Sequence, residues 1–232
     1  MSKYKELIYM CLDEVKLHSD DAFFTEDHVA FLLDKYRVFL LKQRYSDIKK
    51  QLPDSNYQTI CLELQDVTAL PGDPFEVESS VSYLKSKEKV PSMMKIGSPK
   101  IYPHDYFPTK ITLVDKERIL FVGYNKYMKN IIYSAKGYDS YLYFKMFDNK
   151  SLKDGDKVHL LGIFEDPKEA FSLQCSESTD TTNTLDKDFP LEEGLIPPLI
   201  ELVVKELLGA VYRPEDSKNN ANDDLAEVNI KS

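Results

Sequence analysis

The chain has 232 residues, of which 42% are hydrophobic, and it carries a formal net charge of −9 at pH 7. This length and composition are typical of a water-soluble globular protein of one large or two small domains, and no stretch approaches the roughly 20 apolar residues that a membrane span needs. The N-terminus reaches Asp13 and Glu14 before a signal-peptide core could form, so neither membrane insertion nor secretion is expected.

The first fifty residues have the apolar spacing of two helices. The first stripe comprises Leu7, Ile8, Cys11, Leu12 and Val15. A second helix is predicted to begin after Thr25, because a capping threonine followed by Glu26 and Asp27 suits the positive end of a helix. Its stripe comprises Val29, Leu32, Leu33, Tyr36, Phe39 and Leu40. The short connection predicts an antiparallel pair, and a third short helix is predicted over residues 46–53.

From residue 57 the apolar period changes to two, which is typical of strands. The predicted strands cover residues 59–64, 111–114, 119–122, 131–134, 141–144 and 157–164. Weaker strand positions are Phe75, Val77, Val81 and Tyr83, and residues 93–102 are expected to be extended. Turns at residues 115–117 and 136–137 predict two hairpins. Aromatic and β-branched residues dominate these runs, as a half-buried sheet requires.

The C-terminal third returns to helical patterns. Asp166 before Pro167 predicts the start of a short helix, and the polar composition of residues 176–186 predicts a loop. A long helix is predicted over residues 196–212, and its apolar face comprises Ile196, Leu199, Ile200, Val203, Leu207, Leu208 and Val211. Because this face is wide, we expect the helix to pack deeply against the N-terminal pair.

These elements predict an α+β fold, with a helical domain built from both chain ends and an inserted antiparallel β-sandwich or barrel. The helical parts are residues 1–56 and 166–212, the β insertion is residues 57–165, and residues 213–232 form an extended arm. The arm has few apolar groups to offset the entropy of ordering, so we expect it to order only on a partner.

The charge is distributed unevenly. Residues 85–150 hold 13 basic and 6 acidic side chains, whereas residues 151–232 hold 8 basic and 18 acidic ones. The basic segment of one copy could pair with the acidic segment of a neighbouring copy or of another partner. Ordinary solvated surface produces the same pattern, and for any single charge cluster we favour that interpretation.

No catalytic, cofactor or metal site is predicted. The four histidines, His18, His28, His104 and His159, have no metal-ligand partner at helical spacing, and no glycine-rich phosphate loop or nucleophile motif is present. Cys11, Cys61 and Cys175 are widely spaced without a CxxC pair, so neither a disulfide framework nor a zinc site is expected. Cys11 and Cys61 stand among apolar residues, which predicts buried thiols.

A nucleic-acid-binding module is the main alternative, because the middle of the chain interleaves lysines with tyrosines. The positions are Tyr124, Lys126, Tyr127, Lys129, Tyr133, Lys136, Tyr138, Tyr141 and Tyr143. Such a face could stack bases. We favour the interpretation that the tyrosines pack the sheet and the lysines protect its edges, since the acidic overall balance would repel a polyanion.

Two segments carry a family resemblance. Residues 42–51, with the sequence KQRYSDIKKQ, and residues 56–62, with NYQTICL, resemble the N-terminal region of structural proteins from crAss-like phages of Bacteroidales hosts. The C-terminal helix, its exit at residues 213–216 and the following Asn219-Asn220-Ala221 are similar to the closing segment of head–tail adaptor proteins of short-tailed phages. The resemblance covers roughly residues 4–65 and 195–222.

The resemblance implies a non-enzymatic connector protein of the virion neck or tail, assembled in the host bacterial cytoplasm. Such adaptors form a dodecameric ring below the portal, link capsid to tail and let double-stranded DNA pass without sequence-specific contact. The arm is then expected to dock on the portal through Arg213, Pro214, Glu215, Asp216, Leu225, Val228 and Ile230. Other tail proteins would bind the β insertion, and no cofactor or membrane partner is implied. A ring or tail-hub component lower in the neck is a further alternative.

Overall fold

A computed structural model describes residues 2–18, 24–46, 51–67, 82–97, 99–103, 111–119, 121–125, 127, 131–146, 152–175 and 184–211. The helices are α1 (Tyr4–His18), α2 (Glu26–Arg44), α3 (Lys116–Ile119), α4 (Pro167–Ser172) and α5 (Ile196–Val211). The strands are β1 (Gln58–Asp66), β2 (Ser82–Ser86), β3 (Lys100–Pro103), β4 (Ile111–Leu113), β5 (Ile132–Lys136), β6 (Leu142–Met146) and β7 (Lys157–Gly162). Within these ranges, none of the helices has both the length and the apolarity that crossing a bilayer requires.

Local capping chemistry sets the helix starts, and the predictions of α1, α2 and α4 are confirmed. The Thr25 hydroxyl accepts a hydrogen bond from the His28 N–H at 3.3 Å, which satisfies one of the free donors of the first turn of α2. The Asp166 carboxylate does the same for α4, accepting from the Lys168 N–H at 2.8 Å. The predicted helix over residues 46–53 falls partly outside the described residues, and residues 51–53 are not helical.

The strands form a single seven-stranded sheet in the order β3-β7-β1-β2-β6-β5-β4. Every neighbouring pair is antiparallel except β4 and β5, which are parallel. The two edge strands, β3 and β4, lie close to each other, so the sheet is a nearly closed barrel. Of the two predicted alternatives, sandwich and barrel, the β region is therefore the barrel. Its sheet is mixed, whereas a purely antiparallel sheet was predicted.

The predicted hairpin over residues 111–122 is wrong. Residues 116–119 form α3, and β4 pairs in parallel with β5, placing Ile111 opposite Ile132. Parallel neighbours need a crossover connection, which the chain between residues 114 and 131 supplies. Ile119 is fully buried beside Tyr133 and Tyr143, so burial of this side chain outweighs its preference for a strand.

The other strand predictions depend on local pattern and fare better. The hairpin of β5 and β6 and the strands β1 and β7 are confirmed. Of the weaker strand positions, Tyr83 lies in β2, whereas Phe75, Val77 and Val81 lie outside the described residues.

Two large hydrophobic clusters form the core. Helices α1, α2 and α5 share the first, which includes Leu7, Leu33, Leu199, Val203 and Leu207. The barrel encloses the second, which includes Ile60, Leu62, Phe144, Leu160 and Phe164. Helix α4 contributes Ala170 to the barrel cluster and Phe171 to the helical cluster. Because α4 packs into both clusters, it belongs to the helical part and to the barrel alike. The domain boundary predicted between residues 165 and 166 therefore stays a prediction.

Arg37 connects the helices to the barrel. Its side chain is fully buried in α2, its Nε donates to the Pro190 carbonyl at 2.8 Å, and its Nη1 donates to the Phe164 carbonyl at 2.7 Å. Burial lowers the pKa of Arg37 to about 10, and burial likewise raises the pKa of nearby Asp34 to about 6. The guanidinium therefore joins α2 to the end of the barrel and to the segment before α5.

Candidate assembly surfaces

An apolar groove of about 590 Å³ lies between α1 and α5. It is lined by Met10, Glu14, Ile196, Pro197, Ile200, Glu201, Val204, Lys205 and Leu208. The groove lies at the edge of the apolar face of α5. Leu199, Val203 and Leu207 are fully buried. Ile200 and Val204, which line the groove, belong to the same core and are 8% and 6% exposed, and Leu208 is half-buried.

The rim of this groove is acidic and partly open. Met10 of α1 is 52% exposed, although it lines an apolar surface. Glu14 and Glu201 stand at the rim together with a single cation, Lys205. We call these nine lining residues the helical groove. A contiguous apolar surface with a charged rim is typical of a protein–protein contact.

A second apolar surface surrounds α3 on the barrel. Phe121, Tyr124 and Tyr138 are exposed there, and Tyr138 is 76% exposed. Lys116 Nζ lies over the Tyr138 ring, and Lys145 Nζ lies 4.5 Å from the centroid of the Tyr124 ring. Phe121, Tyr124, Tyr138 and Lys116 are the aromatic patch. It belongs to the segment of the chain with the excess of basic residues.

The barrel does not present the lysines and tyrosines as one open row. Tyr133 and Tyr143 are buried in the sheet, and Lys145 is fully buried with its Nζ donating to the Ile119 carbonyl at 3.0 Å. Lys136 donates to two backbone carbonyls, at 3.0 and 2.9 Å. These contacts support the packing interpretation for Tyr133, Lys136 and Tyr143, whereas Tyr124, Tyr127 and Tyr138 are exposed. Lys126 and Lys129 lie outside the described residues.

A polar clamp holds α5 to α2 on the outer side of the helices. Lys35 Nζ lies 2.9 Å from a carboxylate oxygen of Glu206, and the Tyr36 hydroxyl donates a hydrogen bond to the same carboxylate. The Tyr36 hydrogen bond, followed by that of Lys35, lowers the pKa of Glu206. Phe31 and Phe39 of α2 are also exposed, and Phe39 is 52% exposed.

Cys61 and Cys175 form a disulfide across 114 residues of sequence, which corrects the expectation of a free thiol at Cys61 and of no disulfide. Antiparallel pairing of β1 and β7 places Cys61 opposite His159. The Cys61 N–H donates to the Leu173 carbonyl at 2.7 Å and so holds the chain after α4 beside β1. Cys61, His159 and Cys175 thus lie together, although they come from β1, from β7 and from the chain after α4. Their spacing in the sequence could not reveal this.

Cys11 fits the sequence prediction, since it is a free and buried thiol. Burial, with a smaller contribution from Glu14, raises the pKa of Cys11 to about 12. A thiol in this environment stays protonated at neutral pH and is chemically inert.

The predicted docking arm lies outside the described residues, which end with α5 at Val211. This covers Arg213, Pro214, Glu215, Asp216, Leu225, Val228 and Ile230. Their role as partner-binding residues stays a prediction. The structure describes the helix from which the arm continues and the helical groove beside that helix.

Comparison with known proteins gives the family. Residues 6–225 match the family described as phage tail ring protein 2. The protein named Ring protein 2 of Bacteroides phage crAss001 is 56% identical over 226 residues, which cover 97% of this chain and 99% of that protein. The resemblance to structural proteins of crAss-like phages is thereby confirmed. The chain belongs to the phage tail ring protein 2 family.

Proposed function

We propose that this protein is a non-enzymatic structural component of a phage virion, and that its copies associate head-to-tail into a closed ring. Family membership over nearly the whole chain is the observation that carries this proposal. A head-to-tail ring needs two different surfaces on each copy that fit one another. The helical groove and the aromatic patch meet that need, because one lies on the helices and the other on the barrel.

The two surfaces are also complementary in chemistry. The helical groove is an apolar slot whose rim carries Glu14 and Glu201, whereas the aromatic patch combines exposed rings with Lys116. Aromatic side chains are favoured anchors in apolar slots, and opposite charges at the rim set partner choice and orientation. We therefore propose that the aromatic patch of one copy enters the helical groove of the next.

We propose further that the ring is dodecameric and lies below the portal, where it links capsid to tail and lines the DNA channel. The resemblance to head–tail adaptors supports this position. Residues 213–216 with Leu225, Val228 and Ile230 are then the portal-docking arm, since three small apolar anchors in a polar segment suit ordering on a partner. The acidic residues of the C-terminal third would let DNA slide past, and other tail proteins would contact the barrel.

A ring lower in the neck is the second candidate position, and the description of the family as a tail ring protein favours it. The arm would then dock on another ring protein. Binding assays with purified portal and with the neighbouring ring proteins of the same phage distinguish the two positions. Deletion of residues 213–232 should abolish binding to the true partner and leave the fold intact; retained binding would contradict the docking role.

Ring formation is tested by light scattering after size-exclusion chromatography and by electron microscopy of the full chain. We expect closed rings whose class averages count the copies. Met10→Glu in the helical groove and Tyr138→Glu in the aromatic patch should each leave folded monomers. Phe39→Glu is the matched control, because Phe39 is as exposed as Met10, at 52%, but lies outside the groove. Rings that survive both groove and patch variants would refute this interface.

The nucleic-acid alternative is tested separately, by fluorescence anisotropy with duplex and single-stranded oligonucleotides at low salt. We expect no saturable binding, because Lys136 and Lys145 direct their ammonium groups at protein carbonyls. Salt-dependent binding that is lost on replacement of Lys116 would favour a nucleic-acid role for the aromatic patch.

A further inference from the structure

Three side chains capable of binding a metal ion converge beside strand β1. One ligand atom each from Cys61, His159 and Cys175 lies within 4.8 Å of the others. We propose that, once the Cys61–Cys175 disulfide is reduced, the two thiolates and the His159 imidazole bind a zinc ion. This site is independent of the proposed ring interface.

The distances suit a shared ion. His159 Nδ1 lies 3.6 Å from Cys175 Sγ. Zinc bonds of about 2.3 Å to sulfur and about 2.0–2.1 Å to nitrogen, arranged tetrahedrally, place a sulfur and a nitrogen ligand about 3.6 Å apart. The Cα atoms of Cys61 and Cys175 are 5.1 Å apart. Rotation about the Cα–Cβ bonds can therefore bring both freed sulfurs to one ion.

Backbone pairing and a side-chain hydrogen bond hold the framework that carries the ligands. Cys61 and His159 are direct cross-strand partners in β1 and β7, so the sheet ladder fixes their separation. Cys175 follows α4, which is held to β1 by the hydrogen bond from Gln58 Nε2 to the Pro167 carbonyl at 3.2 Å. Ligands placed on strands and on a docked helix end are prearranged for binding, which lowers the entropy lost when the ion binds.

The surroundings allow entry of both reductant and metal. Cys61 and His159 are half-buried, and Cys175 is exposed. Three protein ligands leave the fourth tetrahedral position open to water or to an outside group, as in zinc sites that are not closed. The ligand set of two thiolates and one imidazole favours zinc over magnesium or calcium, which prefer oxygen ligands.

The disulfide and the zinc site are alternative states of the same residues. A phosphine reductant opens the disulfide by supplying two electrons and leaves as its oxide; the oxygen and the two thiol protons come from one water molecule. Zinc then displaces the two thiol protons and binds the thiolates. The oxidised protein has no thiolate to offer, so we expect it not to bind zinc at this site.

The test uses the full chain, reduced with a phosphine, freed of metal and titrated with Co²⁺ as a spectroscopic probe. We expect thiolate-to-cobalt absorption that saturates at one ion per chain and is displaced by Zn²⁺. His159→Gln should weaken Co²⁺ binding by at least about tenfold, in line with losses on perturbing a metal site. Cys61→Ser and Cys175→Ser should lose most of the absorption. Cys11→Ser is the matched control, because it removes a buried thiol elsewhere.

A second measurement needs no variant. Zn²⁺ should slow alkylation of Cys61 and Cys175 in the reduced wild-type protein, read peptide by peptide by mass spectrometry, and leave Cys11 unaffected. The proposal is overturned if reduced protein gives no thiolate–cobalt absorption. It is equally overturned if His159→Gln binds Co²⁺ as tightly as the wild type, or if Zn²⁺ gives Cys61 and Cys175 no protection.

Discussion

Replacing Arg37 by methionine should destabilise the protein by about 2 kcal/mol, because the loss of two hydrogen bonds exceeds the gain from removing a buried charge. The guanidinium is completely buried and donates to the carbonyls of Phe164 and Pro190. Methionine keeps much of the apolar stem but donates nothing. Arg37→Met thus separates the polar contribution of this junction from its packing.

The magnitude follows from two opposing terms. Hydrogen bonds from a charged donor contribute about 1.5–3 kcal/mol each, so the two bonds are worth about 3–6 kcal/mol together. Burial lowers the pKa of Arg37 from 12.5 to about 10, which corresponds to about 3 kcal/mol opposing the charged form. Subtracting this penalty leaves a loss of about 0–3 kcal/mol. Arg37→Met also leaves the carbonyls of two buried residues, Phe164 and Pro190, without this donor, which places the expected loss in the upper part of this range, at about 2 kcal/mol.

Urea unfolding followed by circular dichroism measures this difference, and thermal unfolding should shift by roughly 4–8 °C for a chain of this size. Lys42→Met is the matched control on the same helix. Lys42 pairs with Glu165 at 3.4 Å, but both side chains are about half exposed, so the pair is worth less than about 1 kcal/mol. An unchanged unfolding free energy in Arg37→Met, or an equal loss in Lys42→Met, would refute the reasoning.

Asp34→Asn should abolish a pH dependence of stability. Burial raises the pKa of the Asp34 carboxyl from 3.8 to about 6, so the folded protein binds the carboxyl proton more tightly than the unfolded protein does. Protonation of Asp34 therefore stabilises the fold. This contribution to the free energy of unfolding is complete below about pH 4 and is lost as the pH rises through about 6. Urea unfolding across this window tests it, and equal slopes in both proteins would contradict it. Thr25→Ala should cost about 1 kcal/mol through loss of the α2 cap, whereas Thr25→Ser should be nearly neutral in thermal unfolding; equal losses would rule out capping. Lys145→Met should cost about 1–3 kcal/mol because it leaves the buried Ile119 carbonyl without this donor. Hydrogen exchange should then be faster in α3, and unchanged exchange there would contradict the role.

Features that depend on neighbouring residues were predictable from the sequence. The start of α2 follows from Thr25 and the acidic residues after it, and the β5–β6 hairpin follows from two aromatic runs joined by a turn at Gly137. The wide apolar face of α5 predicted deep packing, and its residues Leu199, Val203 and Leu207 are fully buried. In each case the signal lies within a few residues of the feature.

Features that depend on distant partners were missed. The run over residues 119–122 is as apolar as a strand. Ile119, however, is the last residue of α3 and is buried against Tyr133 and Tyr143. The parallel pairing of β4 with β5 depends on the crossover between them, and hydrophobic periodicity carries no information on strand direction. The aromatic patch arises from α3 and a distant turn that meet at Tyr138.

Capping, periodicity and family resemblance are read along the chain, so the order of the amino acids predicts the helical or strand character of most segments and the family. The closing of the sheet into a barrel, the burial of Arg37 and the meeting of Cys61, His159 and Cys175 appear only in the folded chain. These features join residues that are far apart in sequence, and their free energy comes from shared burial and from hydrogen bonds that form only when the elements pack together.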